Sequence, residues 1–231
     1  MRHRLVGGDE VPHGMNLIES ETPIPVPTLP DLLHPGSRAL FRHWETIRGE
    51  RSVPSRSDLD LRKITEIVPW LFILERNPVR QAYRWRLAGT GIGLLWGREL
   101  TGGGFLDEWR PHERAGFGAI LDRVVAALQP CIAHAHAMSI DGDWVKLELL
   151  GVPIRTTAGN QVQILGAVLP LENPRWLGHA SLDSLSLQSA KLIWTEPIPG
   201  APAGLLPSSP PSTSEAALTA FTVIQGGKRD R

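Results

Sequence analysis

Cysteine is nearly absent from this chain of 231 residues: Cys131 is the only one. A single thiol can neither close an intramolecular disulfide nor build a Cys-based zinc site, and it points to a reducing compartment. Lysine is scarce as well. Lys63, Lys146, Lys191 and Lys228 stand alone among 24 basic residues, the rest being arginine, and 24 acidic residues bring the formal charge to zero. A general nucleic-acid binder needs a basic excess to displace counterions from phosphate, and none is present. There is no run of about 18 apolar residues, the least a membrane-spanning helix needs. Nor does an apolar stretch follow Arg2 and Arg4, as a secretory signal would require. The expectation is a soluble cytoplasmic protein with no nucleic-acid or membrane partner. The arginine bias has two explanations, a GC-rich genome or guanidinium forks for carboxylate and phosphate.

What the chain does contain fits one globular domain with tails: 42% hydrophobic and 21% charged residues. Proline marks the tails. Pro23, Pro25, Pro27, Pro30 and Pro35 crowd one stretch, and Pro197, Pro199, Pro202, Pro207, Pro210 and Pro211 another. Such segments favour extended or disordered chain. The expected division is a Pro-rich tail over 1–35, a folded domain over 36–172 and a largely disordered Pro/Ser-rich tail over 173–231.

Within the folded part, Leu40, Phe41, Trp44 and Ile47 share one face of a helix over 37–48, which Gly49 ends. Pro54 to Asp58 reads as a turn, with Ser57 or Asp58 capping a short helix up to Val68. Trp70 to Leu74 reads as a strand, Asn77-Pro78 as a turn, and 82–88 as a second strand with Tyr83, Trp85 and Leu87 on one face. A short helix follows over 91–96, then a break at Gly102-Gly103-Gly104, then a long helix from Pro111 to Leu128 with a 3.6-residue apolar stripe. Three strands close the domain, over 131–139, 143–151 and 161–169, with turns at Asp141-Gly142 and Ala158-Gly159-Asn160. The simplest packing of that order is an α+β fold: a five-stranded antiparallel sheet with helices on one face and an N-terminal helical extension.

A series of short motifs accompanies this order. They are Trp44; Pro54-Ser55-Arg56 with Asp58 and Asp60; Ile67-Val68-Pro69; Tyr83 to Thr90; Gly97 to Gly102; and Val168-Leu169-Pro170-Leu171. Over residues 38–171 the chain resembles a family of small bacterial PAS-like proteins, found mostly in alphaproteobacteria and formerly a domain of unknown function. The resemblance implies a PAS-like sensory or regulatory domain, cytoplasmic and often a homodimer, with an unidentified small ligand or a signalling protein as partner. It brings no catalytic residues.

The candidate residues divide by chemistry. An apolar ligand pocket between sheet and helices would be lined by Leu71, Ile73, Trp85, Leu87, Leu95, Phe105, Phe117, Leu121, Val145, Leu147 and Ile164. The inward face of each strand is open, since one slip in register reverses it. Arg56, Arg84 and Arg86 either grip an anion or pair with Asp58, Asp60 or Glu75. Phe41, Trp44 and Ile47 would form the interface of a ligand-free interaction adaptor, the alternative to a ligand sensor. His134, His136 and Met138 share one strand face, where copper or haem iron is one reading and a solvated or dimer-contact face the other. No metal is assigned and the cofactor is left unknown. Cys131, first in its strand after Pro130, reads as a small buried residue rather than a photoadduct cysteine. Gly89-Thr90-Gly91-Ile92-Gly93 lacks dinucleotide-loop spacing and reads as a tight exit from strand to helix. No hydrolase, metalloprotease or P-loop signature is present, so an enzyme is the least favoured class.

Overall fold

Alternation of apolar residues shapes most of the strands, and the departures from it shape the rest. The computed structural model describes residues 32–77, 82–158 and 161–195. The first helix, α1 (Pro35–Arg48), starts with proline at its first position and His34 as cap, whose Nδ1 accepts the Gly36 N–H; Gly49 ends it at φ 55°. The next segment forms three short 3-10 turns, Arg56–Asp58, Leu61–Lys63 and Thr65–Trp70, where one continuous helix was expected. Ser55, not Ser57 or Asp58, is the first cap, in a reciprocal capping box with Asp58. Then come β1 (Leu71–Asn77), β2 (Ala82–Ala88), α2 (Thr90–Trp96), α3 (Pro111–Ala127), β3 (Cys131–Ser139), β4 (Trp144–Arg155), β5 (Val162–Pro170) and β6 (Leu182–Leu192). Residues 1–31 and 196–231 lie outside the described residues, as do Pro78 and Gly159-Asn160 of the two expected turns.

The sheet is antiparallel with the order β2-β1-β5-β4-β3-β6. It has six strands, one more than expected, and the extra one corrects the boundary at 172: β6 falls in the segment expected to be tail. Leu182 and Leu185 of β6 are buried in the core. A spacing of three residues is not a strand period, and it arises because the β3–β6 register shifts at Met138/Ser139, between the partners of Leu185 and Leu182. Hydrogen bonds from α3's start hold the outer edge of β6. The Arg110 N–H donates to the Leu185 carbonyl, and the Glu113 carboxylate accepts from Ser186 Oγ and the Leu187 N–H.

Both faces of the sheet are buried along its middle. On the concave face α2 and α3 close a core that includes Phe72, Leu74, Trp85, Leu95, Phe105, Phe117, Leu121, Val145, Leu147 and Ile164. On the opposite face α1 packs against β4 and β5. Leu40, Phe41 and Trp44 are fully buried, and Trp44 Nε1 donates to the Pro153 carbonyl at 2.7 Å. Backbones approach closely at Gly166, where an added Cβ would run into Phe72 and the Leu150 carbonyl. Gly89 is pressed in the same way against the Pro69 carbonyl, which accounts for the glycine at the exit from β2.

Removing residues 173–231 uncovers Leu182's and Leu185's neighbours and strips β3 of its outer partner. Burying two leucines is worth about 3–6 kcal/mol, a large part of a domain's net stability. The truncated chain is expected to unfold at a clearly lower temperature than the full chain, or to be insoluble; equal melting temperatures would show that β6 is dispensable.

Candidate functional site

The concave core is built around aromatic rings delivered by four different segments. Phe72 comes from β1, Trp85 from β2, Trp96 from the end of α2, and Phe105 and Trp109 from the turn before α3. The rings are in successive contact: centroids lie 6.3 Å apart from Trp96 to Trp85, 4.9 Å from Trp85 to Phe105, 6.0 Å from Phe105 to Trp109, and 4.5 Å from Trp109 to Phe117 of α3. Most of these pairs are edge-on or tilted, the arrangement ring quadrupoles prefer. β3 adds a strip of Ala133, Ala135 and Ala137 to the same core, with Cys131 at its end. The glycine break clamps the rings from outside: the Trp85 N–H donates to the Gly103 carbonyl, and the Gly102 N–H to the Trp85 carbonyl. Arg98 donates to both oxygens of the buried Glu108 at 2.7 Å and ties the end of α2 to the turn carrying Phe105.

Three indole nitrogens in this core have no hydrogen-bond partner: Nε1 of Trp85, Trp96 and Trp109. Their residues are 1%, 3% and 1% exposed. Trp44 shows what the same chain does with a structural indole, since its N–H is satisfied by Pro153. The core offers these donors little in return. Beside the indoles, its hydrophobic cluster holds the Tyr83 hydroxyl, which donates to Asp122 at 2.9 Å, and the Cys131 thiol, while the buried Glu108 in the same turn as Phe105 is engaged by Arg98. Burial, reinforced by Asp122, pushes the Tyr83 phenol upward, and burial pushes the Cys131 thiol up to about 12. Both stay protonated at neutral pH.

The expected pocket residues divide between the two faces. Trp85, Leu95, Phe105, Phe117, Leu121, Val145, Leu147 and Ile164 stand together in the concave core. Leu71 and Ile73 do not: Phe72 and Leu74 take the concave side, and strand alternation turns their neighbours to the opposite face. Leu87 follows them. A bulge between Ile73 and Leu74 pairs Leu87 with Ile73, so the alternation of Tyr83 and Trp85 is broken and Leu87 is 40% exposed. The adaptor surface is also corrected, because Phe41 and Trp44 are buried against the chain's own sheet and Ile47 is partly buried. Arg84 and Arg86 both face Glu75, at 3.4 and 3.7 Å, and link neighbouring strands. Arg56 lies in the first 3-10 turn, where the adjacent acid, Asp58, pairs instead with Arg51.

On the opposite face His134 is committed to a carboxylate: its Nε2 lies 3.1 Å from Glu148 Oε2. His136 stands edge-on to Trp144. Among the described residues no three His, Cys, Asp or Glu side chains gather as a metal cluster. Glu148 is fully buried and also accepts the N–H groups of Leu33, at 2.7 Å, and His34, at 2.9 Å. The sequence alone gave Glu148 no prominence; the one available signal was a carboxylate within the apolar run Leu147 to Leu150. A separate cleft of about 860 Å³ lies between the start of α1, the turn over Thr65–Trp70 and the chain after β5, with Lys63, Glu66 and Trp70 on its walls. None of the residues expected to line the pocket borders it.

A family model described as PAS domain matches residues 32–169, more than half of the chain. No curated protein matches. Among solved structures the chain is similar to a light-oxygen-voltage domain studied with a flavin analogue, at 15% identity and a TM-score of 0.38, over 49% of this chain and 84% of that one. It is also similar to the Rhodobacter sphaeroides LOV protein, at 13% identity and a TM-score of 0.37, over 51% of this chain and 71% of that one.

Two outcomes follow from the burial of Cys131 and Glu148. With a pKa of about 12, only about one Cys131 thiol in 10⁴ is ionised at pH 8, and it is sealed from solvent. A chromogenic disulfide reagent at pH 8 should leave the native thiol unmodified and titrate it fully in denaturant; rapid native labelling would contradict the burial. The sign of the pH effect is fixed too. The unfolded thiol ionises near 8.5, so its contribution to stability is complete below that pH and is lost as pH rises toward about 12. Glu148→Ala leaves two amide N–H groups without their acceptor, at about 1–3 kcal/mol for each buried donor left unpaired. A loss of unfolding free energy in urea of under about 0.5 kcal/mol would show that these groups find water instead.

Proposed function

The chain belongs to the PAS domain family, and from that we propose that it is a sensory or regulatory domain whose interior takes up a small ligand and which passes the change on by contact with another protein molecule. The observation that carries this reading is the set of three unpartnered indole donors in a core otherwise free of unmatched groups of its own making. A buried donor without an acceptor is destabilising by about 1–3 kcal/mol, so three of them in one core support the reading that it takes up an added acceptor. Small-molecule sites combine an apolar lining with a few polar groups, and the apolar residues and three free donors of this core support the reading.

No catalytic step is part of the proposal. The phenol of Tyr83 and the thiol of Cys131 in the core are both held in their neutral forms. Among the described residues no helix is long and apolar enough to cross a membrane. The receiver of the signal is a second copy or a signalling partner. With Phe41 and Trp44 buried, the contact does not use the inner face of α1 and falls to side chains left exposed, such as Leu94, Ile140 and Trp144.

Native mass spectrometry of the protein purified without denaturant, compared with the same sample after unfolding and refolding, tests the ligand. A discrete mass lost on unfolding, with a fall in melting temperature of the refolded protein, is the expected result. Equal masses and equal melting temperatures in several preparations would overturn the interior-ligand reading.

A further inference from the structure

We propose that the cleft between the start of α1, the turn over Thr65–Trp70 and the chain after β5 binds a short apolar peptide with both ends free, of di- or tripeptide size. The cleft lies on the α1 side of the sheet, apart from the aromatic core, and nothing in the proposal depends on an interior ligand. Its volume, about 860 Å³, falls in the range of sites that hold drug-sized molecules. The ionisable side chains on its walls are His34, Lys63, Glu66 and Glu172. Two of them are already committed. Glu172 pairs with Lys146 at 3.2 Å. His34 accepts the Gly36 N–H on Nδ1, and burial lowers its pKa, so it is neutral at neutral pH. Lys63 and Glu66 remain. Neither makes an ion pair or a side-chain hydrogen bond with any described residue, and they do not pair with each other. Asp60, three residues before Lys63, is gripped by Arg62 instead.

Each feature of such a peptide has its counterpart on the walls. A free cation and a free anion in one cleft call for a ligand that carries both charges, its carboxylate beside Lys63 and its ammonium beside Glu66. The two lie at different points along α1. Gly36 abuts Ile67, the neighbour of Glu66, whereas the charge of Lys63 acts on His43, about two turns further along the helix. An α-amino acid holds both charges on one carbon, and each added residue extends the reach by about 3.5 Å. Thr65 and Asn173, also on the walls, have side chains engaged by no described residue, and a hydroxyl and a carboxamide match the N–H and C=O of a peptide group. The remaining lining is largely apolar: Ile67 is buried, and Trp70, Leu171 and Leu177 are partly so. These side chains receive the aliphatic part of the ligand.

Isothermal titration calorimetry on the full-length protein compares trileucine with three relatives: its amide, which lacks the carboxylate, its N-acetyl derivative, which lacks the ammonium, and triglycine, which lacks the side chains. Trileucine is expected to bind saturably, with a Kd of about 1 mM or below. Each blocked end should weaken binding about two- to fivefold, the worth of an exposed ion pair, and triglycine should not bind. In Lys63→Gln trileucine and its amide should bind alike, and in Glu66→Gln trileucine and its N-acetyl derivative should. Both variants replace exposed side chains and are expected to melt with the wild type. Ala39→Trp, at an exposed position of α1 on the cleft wall, should abolish binding by filling the cleft, at an unchanged melting temperature. No binding of trileucine to the wild type overturns the proposal. Equal binding of free and blocked peptides overturns the free-ended class, and undiminished binding to Ala39→Trp overturns the placement in this cleft. The interior-ligand reading stands or falls separately, on the mass and melting temperature of the protein before and after refolding.

Discussion

A single sheet buried on both faces sets the terms for everything else in this domain. Strands β4 and β5 lie between α1 on one side and the aromatic core on the other, so their residues are apolar in near-continuous runs. Any polar group placed there has to be answered locally. Glu148 is answered three times, by two amides and an imidazole. Trp44 is answered once, by a strand carbonyl. The indoles of Trp85, Trp96 and Trp109 are not answered by any side chain or carbonyl, and that contrast separates the α1 face of the sheet from its concave face.

The two halves are joined through the strands themselves. Glu148 and Leu149 are neighbours on β4, one holding the chain that enters α1 and the other facing the core. Trp85 belongs to the set of rings, while its flanking arginines, Arg84 and Arg86, reach Glu75 on the far side. A change in the core that twists β2 or β4 is therefore felt on the α1 face without passing through solvent. Packed cores shift between discrete arrangements rather than deform gradually, which suits a sensory or regulatory domain.

The sequence was most legible where one face of an element is apolar and the other polar. The stripe of α3, the alternation of His134, His136 and Met138 against Ala133, Ala135 and Ala137, and the Val145, Leu147, Leu149 face of β4 all read correctly. It was least legible where both faces are buried. Leu71-Phe72-Ile73-Leu74 has no polar residue to break the tie, so its inward side could not be read, and Leu71 and Ile73 were assigned to the wrong one. Leu87 was missed because a bulge resets the alternation, and Leu182 and Leu185 because a register shift gives them a spacing that belongs to no regular strand. The unpartnered indoles are invisible to pattern altogether, since whether a donor has an acceptor depends on long-range packing.

Glu148 has one further consequence. The segment entering α1 is held by a single carboxylate whose two oxygens share three donors, rather than by a ladder of separate bonds. A ladder frays one rung at a time, but a shared acceptor releases its donors together. Loss of that one carboxylate therefore frees the Leu33 and His34 amides and the His134 imidazole at once.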